Sequence, residues 1–231
     1  VGTGMKDQQA SEFFGDRAEA YEDFIPRLVP FYHEINQLML DLIPYPKDAA
    51  LSALDVGTGT GVVAGCVLDA FPNSTVLAID LSPEMLEECS ANLAQFGERV
   101  TVCEGRFPAA EIDPGYDVVV SSLALHHLSH EDKRKSFAKI FVALNPGGIF
   151  LLRDVILGPT LTLDKRYQDI WQNTAASYGY DDMSWFKEHL EQDNPAPVPD
   201  QLDWLRTIGF EEVSCHWQYL TMALFGGQKP E

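Results

Sequence analysis

Leu51-Ser52-Ala53-Leu54-Asp55-Val56-Gly57-Thr58-Gly59-Thr60-Gly61 reads as a short apolar strand that runs into a glycine-rich turn and then a helix. Glycine lets a backbone bend tightly and approach a ligand closely, and a helix N-terminus turns unpaired N–H groups outward toward a carboxylate or phosphate. A dinucleotide fingerprint would place its glycines as G-x-G-x-x-G and a phosphate-binding loop would need Gly-Lys-Ser/Thr; neither is present. The turn is therefore of nucleotide-binding type without being either of these, or else a tight βα connection that binds nothing. About twenty residues further on, the next apolar run ends at Asp80, where a carboxylate can accept hydrogen bonds from both hydroxyls of a ribose.

Outward from this motif, short β-branched runs alternate with helical patterns, the signal of βαβ units and a parallel sheet. Strands are expected near residues 51–55, 75–80, 100–103, 116–121 and 149–154. Ser82-Pro83-Glu84 supplies an N-cap, a proline at the first helical position and an early acid, so a helix begins there. Asn145-Pro146-Gly147-Gly148 ends a helix and turns the chain into the next strand. Residues 211–219 and 220–225 are expected to close one edge as an antiparallel pair. Two helical segments lie outside the alternation, at about 6–46 and 159–208, broken by Pro26, Pro30 and Asn194-Pro195-Ala196-Pro197-Val198-Pro199. The fold class expected is α/β: one domain over residues 1–231, a Rossmann-like, mostly parallel sheet of seven strands, an antiparallel C-terminal edge hairpin and a helical cap.

Composition narrows the function. With 231 residues, 45% of them hydrophobic, the chain can bury a sizeable core. No apolar run approaches the roughly 20 residues needed to span a bilayer, so a cytoplasmic protein with no membrane partner is expected. The formal charge of −19 disfavours nucleic acid, whose binding needs a Lys/Arg footprint. Cys66, Cys89, Cys103 and Cys215 are scattered without a C-x-x-C pair and read as buried free thiols.

Four stretches in this order resemble the class I S-adenosylmethionine-dependent methyltransferases: Leu54-Asp55-Val56-Gly57-Thr58-Gly59-Thr60-Gly61, Ala78-Ile79-Asp80-Leu81-Ser82-Pro83-Glu84-Met85-Leu86, Tyr116-Asp117-Val118-Val119-Val120-Ser121-Ser122-Leu123-Ala124-Leu125-His126-His127-Leu128, and Leu144-Asn145-Pro146-Gly147-Gly148. The resemblance implies S-adenosylmethionine as cofactor and S-adenosylhomocysteine as product. It implies that Asp55 and Gly57 to Gly59, Thr58 included, cradle the methionine moiety. Asp80 would hold the ribose, Leu81 and Met85 the adenine faces, and Ser121, Ser122 and Leu123 the sulfonium side. After the third strand the family has an acid for the adenine amino group, whereas this chain has Arg106, which cannot accept a hydrogen bond. That leaves the backbone of Arg106 and Phe107, or Glu104, to read the adenine. The segments Phe14-Gly15-Asp16-Arg17-Ala18-Glu19-Ala20-Tyr21 and Ile25-Pro26-Arg27-Leu28-Val29-Pro30-Phe31-Tyr32 look like the N-terminal cap of carboxy-S-adenosylmethionine synthases and related small-molecule methyltransferases, in which a tyrosine matching Tyr32 contacts the cofactor. Those relatives hold an extra carboxylate with an arginine on the post-sheet helices, where residues 182–192 here have Lys187 and no arginine.

The methyl group of a sulfonium is already activated, so proximity and orientation supply much of the acceleration, and a base is needed only for a protonated nucleophile. Candidates at the C-terminal ends of strands are His126 and Asp154, with Tyr21 from the cap. Each has a bland reading: the histidines as packed residues of an apolar loop, Asp154 as a helix cap or a partner of Arg153. No third ligand accompanies the adjacent histidines, so no metal is expected. Arg27, in the cap beside Tyr21, Tyr32, Trp171, Tyr178, Tyr180 and Trp185, is a candidate for a carboxylate of cofactor or acceptor, or a surface ion pair. A small-molecule methyltransferase, with a homodimer open, competes with an enzyme that modifies the cofactor's methyl group or cyclises its aminobutyrate arm, and with a sensor that binds without turnover.

Overall fold

The computed structural model describes residues 25–177 and 193–231. Residues 25–28 are helical, Pro30 sits in a turn, and α1 (Tyr32–Asp41) follows. The alternation then runs β1 (Ser52–Val56), α2 (Val62–Ala70), β2 (Thr75–Asp80), α3 (Pro83–Asn92), β3 (Val100–Glu104), β4 (Tyr116–Ser122), α4 (His130–Ala143) and β5 (Leu144–Leu157). α5 (Leu161–Ser177), the two-residue β6 (Ala196–Pro197), α6 (Val198–Ile208), β7 (Glu211–Tyr219) and β8 (Met222–Gln228) complete the described chain. Local chemistry sets several of these boundaries. Ser82 Oγ accepts the Met85 N–H at 3.3 Å with Pro83 beginning α3, and Gly209 ends α6 at φ 117°, a left-handed position that favours glycine.

The sheet order is β3-β2-β1-β4-β5-β8-β7, with β6 pairing to Ile156 and Leu157 at the far end of β5. β1 to β5 are mutually parallel, and β8 runs antiparallel to both of its neighbours. Successive residues of a strand point to opposite faces, and the core divides accordingly. Ala53, Val118, Val120, Ile149 and Leu151 meet Ile35, Met39, Val63, Val67 and Leu68 on one side. Leu54, Val119, Phe150 and Leu152 meet Phe137, Ile140 and Leu205 on the other.

The structure refines three expectations. β5 begins at Leu144, where it pairs with Tyr116, so Asn145-Pro146-Gly147-Gly148 is an irregular start of the strand. The C-terminal hairpin is inserted inside out: its second strand lies against β5 and its first takes the edge. The uncharged stretch Met222-Ala223-Leu224-Phe225-Gly226-Gly227 is buried throughout, whereas Glu211 and Glu212 keep β7 at the solvent side. Of the cysteines, Cys89 is buried but Cys103 is exposed, because β3 is the opposite edge. Among the described residues no helix is long and apolar enough to cross a membrane.

Candidate cofactor cleft

The order of strands reverses between β1 and β4, since β2 and β3 extend one way and β5 onward the other. Loops leaving the carboxyl ends of such strands diverge and leave a crevice. Here that crevice is lined by the turn after β1, by Asp80, Leu81, Ser82 and Met85 beyond β2, and by Gly105, Arg106 and Phe107 beyond β3. Ser122 to Leu125, His127 and Leu128 line it beyond β4, with Tyr32 from α1 and Arg153 from β5. Every residue expected to hold the cofactor lines this cleft except Arg27, Ser121 and Glu104, the alternative reader of the adenine.

Gly57, Gly59 and Gly61 have φ of 68°, 55° and 86°, each in the left-handed region. Their side-chain space differs. A Cβ on Gly57 would lie 2.3 Å from the Cβ of Ala124 and one on Gly61 would lie 2.8 Å from Cys89 Sγ, whereas one on Gly59 would meet nothing within 4 Å. The room above Gly59 is the cradle in which a ligand can approach the backbone.

The turn's amides are largely committed within the protein, which corrects the expectation that they present themselves to a carboxylate. Gly57 and Thr58 donate to the Ile79 carbonyl at 2.8 and 3.0 Å, Gly61 donates to Thr58 O, and Gly59 donates to Asp80 Oδ2 at 2.8 Å. The other Asp80 oxygen accepts from Ser82 N at 3.0 Å. The carboxylate thus arrives oriented at the mouth of the cleft, and each oxygen keeps a lone pair for a sugar hydroxyl. Burial raises the Asp80 pKa, with the Ser82 and Gly59 amides opposing. Asp55 lies beneath the turn, where Oδ2 accepts from Thr58 Oγ1 at 2.8 Å and Ala64 N at 3.1 Å while Oδ1 has no partner. Burial pushes its pKa up to about 7 against those two hydrogen bonds.

The remaining candidates separate. Ser121 is buried, its hydroxyl donating to Val56 O at 2.7 Å, so it joins β4 to β1 behind the cleft wall. Arg27 is exposed and off the cleft. Tyr21, Tyr178, Tyr180, Trp185 and Lys187 lie outside the described residues. Trp171 on α5 donates its indole N–H to Leu28 O at 2.7 Å, which ties the post-sheet helix to the segment before α1.

His126 and Asp154 do come together, His126 Nδ1 to Asp154 Oδ1 at 2.5 Å, but neither lines the cleft. His126 Nε2 stands 3.8 Å from Asp193 Oδ1, which is 2.9 Å from His127 Nδ1. Burial pulls the His126 pKa down, yet Asp154 and Asp193 outweigh it and leave the pKa raised. Burial and the charge of His126 lower that of His127, the histidine that does face the cleft. Lys133 donates to the carbonyls of His126, Leu128 and Asn194 close by, its pKa brought down to about 8 by burial. Ligand-type atoms of His126, His127 and Asp193 lie within 4.8 Å of one another, a convergence that the sequence hid because Asp193 is remote along the chain. Lys133 sets a cation against Asp154 and Asp193, and the same two acids favour the protonated form of His126.

The residue that sequence reasoning missed is Arg153. Its side chain is 1% exposed, and it donates Nε to Ser122 Oγ at 2.8 Å and Nη1 to Asn36 Oδ1 at 2.8 Å and to Tyr32 O at 3.3 Å. Its guanidinium lies 4.5 Å over the Tyr32 ring. An arginine inside the run Ile149–Ile156, where Asp154 is the one other charged residue, was the available signal.

The family described as a methyltransferase domain matches residues 53–148. The chain is 23% identical over 217 residues to the carboxy-S-adenosyl-L-methionine synthase of Nautilia profundicola, covering 93% of this chain and 92% of that protein. It is 28% identical over 230 residues to the protein of the same name from Chromohalobacter salexigens, covering 94% and 83%. Among solved structures, Haemonchus contortus phosphoethanolamine N-methyltransferase 2, held with phosphomonomethylethanolamine and S-adenosylhomocysteine, superposes with a TM-score of 0.72 at 18% identity. That alignment covers 95% of this chain but 60% of the other, so this chain spans less than two thirds of that structure. The domain match, the relatives similar over nearly the whole chain and the shared fold make this chain similar to S-adenosylmethionine-using enzymes built on a methyltransferase domain.

Proposed function

We propose that the protein transfers a methyl group from S-adenosylmethionine to a small-molecule acceptor bound in the cleft beside Tyr32. The observation that carries this reading is Asp80. One carboxylate spans the Gly59 and Ser82 amides at the cleft mouth, facing the open space above the turn, where a ribose fits. Leu81 and Met85 offer apolar surface for adenine, and Gly105 to Phe107 bring backbone close on the other side. The cofactor supplies a methyl carbon activated by its sulfonium. The protein's part is to position the acceptor, exclude water and receive a proton where the acceptor carries one. His127 is the base-type side chain on the wall, with a pKa below that of an ordinary histidine, so it is neutral near pH 7. The formal charge of −19 supports a compact acceptor over nucleic acid.

Calorimetry tests the cofactor site directly: S-adenosylmethionine and S-adenosylhomocysteine should bind the wild type, and Asp80→Ala should weaken both by about tenfold to a hundredfold, the scale of lost charge-assisted hydrogen bonds. Equal binding by Asp80→Ala would remove the basis of the assignment. A second reading, modification of the cofactor's own methyl group, is favoured by full-length relatives named for that product. Mass spectrometry of the nucleoside after turnover separates the two, since methyl transfer yields S-adenosylhomocysteine with a methylated acceptor and the alternative yields a heavier sulfonium.

A further inference from the structure

A carboxylate entering this cleft finds the amides of Gly57, Thr58, Gly59 and Gly61 already committed to protein acceptors. Across the crevice stands a buried guanidinium whose partners are all neutral: a hydroxyl, a side-chain amide, a backbone carbonyl and an aromatic ring. No carboxylate of the described residues forms an ion pair with Arg153, although other arginines and lysines of the chain have them. A charge removed from water without a counter-ion is strongly unfavourable, so a buried cation on a ligand wall calls for an anion that comes with the ligand.

We infer that Arg153 and Ser122 form a subsite for a ligand carboxylate on the β5 side of the cleft. This inference rests on the cleft being the S-adenosylmethionine site. Nε and Nη1 of Arg153 hold Ser122, Asn36 and the Tyr32 carbonyl, and Nη2 lies on the Nε side of the fork, therefore beside Ser122. Ser122 accepts from Nε through its oxygen, so its own O–H is left to donate. Both residues line the cleft, and together they present two donors to one planar anion. A monoanion suits the site better than a phosphate dianion, because Asp55 and Asp80 face the same crevice. The carboxylate has two possible sources, the amino-acid end of the cofactor or an acidic acceptor.

Calorimetry on the full chain distinguishes these sources, using S-adenosylhomocysteine, its decarboxylated analogue and methylthioadenosine, with acetate and benzoate as free acids. If the cofactor supplies the anion, the wild type binds S-adenosylhomocysteine about tenfold to a hundredfold more tightly than the decarboxylated analogue. Arg153→Gln then binds both alike, and Arg153→Lys keeps part of the difference. If the acceptor supplies it, the two nucleosides bind the wild type equally, while acetate or benzoate raises the melting temperature of the wild type and of Arg153→Lys but not of Arg153→Gln. The wild-type and Arg153→Lys measurements decide the matter should Arg153→Gln not fold. The inference is overturned if the wild type neither discriminates nor responds to free acids, or if a folded Arg153→Gln retains either behaviour. Methylthioadenosine has no carboxylate, so its binding with no Arg153 effect sinks the subsite alone. An Arg153-dependent response to free acids without any nucleoside binding sinks the cofactor reading alone.

Discussion

Gly57 and Gly59 stand two residues apart in one turn and fail differently when given a side chain. At Gly59 a methyl group meets open space, so Gly59→Ala should carry only the left-handed backbone cost of about 1–2 kcal/mol, a fall in melting temperature of roughly 2–8 °C for a chain of this size, together with weaker cofactor binding as the methyl intrudes on the cradle. At Gly57 the same backbone cost is joined by a 2.3 Å collision with Ala124, so Gly57→Ala should melt at a clearly lower temperature than Gly59→Ala. Scanning calorimetry of the two variants compares them, and equal melting points would contradict the packing. Asp55 gives a pH signature. Its folded pKa of about 7 lies above its unfolded value near 4, so the native state retains a proton that the unfolded chain releases in between. That contribution to stability is complete below pH 4 and is lost as pH climbs through 7. The stability of the wild type relative to Asp55→Asn should therefore fall between pH 5 and pH 8, by on the order of 2 kcal/mol, as denaturation at each pH would show. A difference that stays flat would place the Asp55 proton elsewhere. These two features were legible in sequence because a tight turn and the acid beneath it are local. Arg153 was not, since its partners Tyr32 and Asn36 lie 121 and 117 positions away.

At the level of elements, the sheet closes through contact between β5 and β8 that leaves no room for a side chain at Gly226. A Cβ on Gly226 would stand 2.0 Å from the Phe150 carbonyl oxygen. Gly226→Ala should consequently shift β8 against β5 and destabilise by about 2 kcal/mol or more, with overpacking as the mechanism. Urea denaturation that found the variant within a few tenths of the wild type would contradict the pairing. The existence of a C-terminal hairpin was readable from two apolar runs with a turn between them. Its insertion order was less so, because an antiparallel pair can dock by either strand. What decides it is side-chain chemistry: no charge interrupts Met222-Ala223-Leu224-Phe225, while β7 begins Glu211-Glu212. His126 and Asp154 show the same limit. The sequence pattern puts both at strand ends, yet β5 runs on past Asp154 to Leu157, and the 3-10 turn Leu125–His127 directs His126 toward Asp154 and leaves His127 on the cleft wall.

For the whole molecule, a formal charge of −19 is a self-repulsion that surrounding ions screen over a Debye length of about 8–10 Å. Raising sodium chloride from about 10 mM to about 150 mM should therefore raise the melting temperature by a few degrees. A decrease would mean that attractive ion pairs dominate the fold's electrostatics. The same field bears on what reaches the cleft, since Arg153 is a buried positive point inside a negative envelope.

The contact between Gly57 and Ala124 also joins two parts of the cleft that chemistry would treat as independent. The turn after β1 and the loop after β4 line the same crevice from two sides, and under the proposed function the first serves the cofactor and the second borders the acceptor. Because the methyl of Ala124 fills the hollow of Gly57, anyone transplanting residues 122–128 from another enzyme to change what is accepted must bring a side chain no larger than alanine at that point. Retargeting would otherwise disturb the half of the crevice it meant to leave alone.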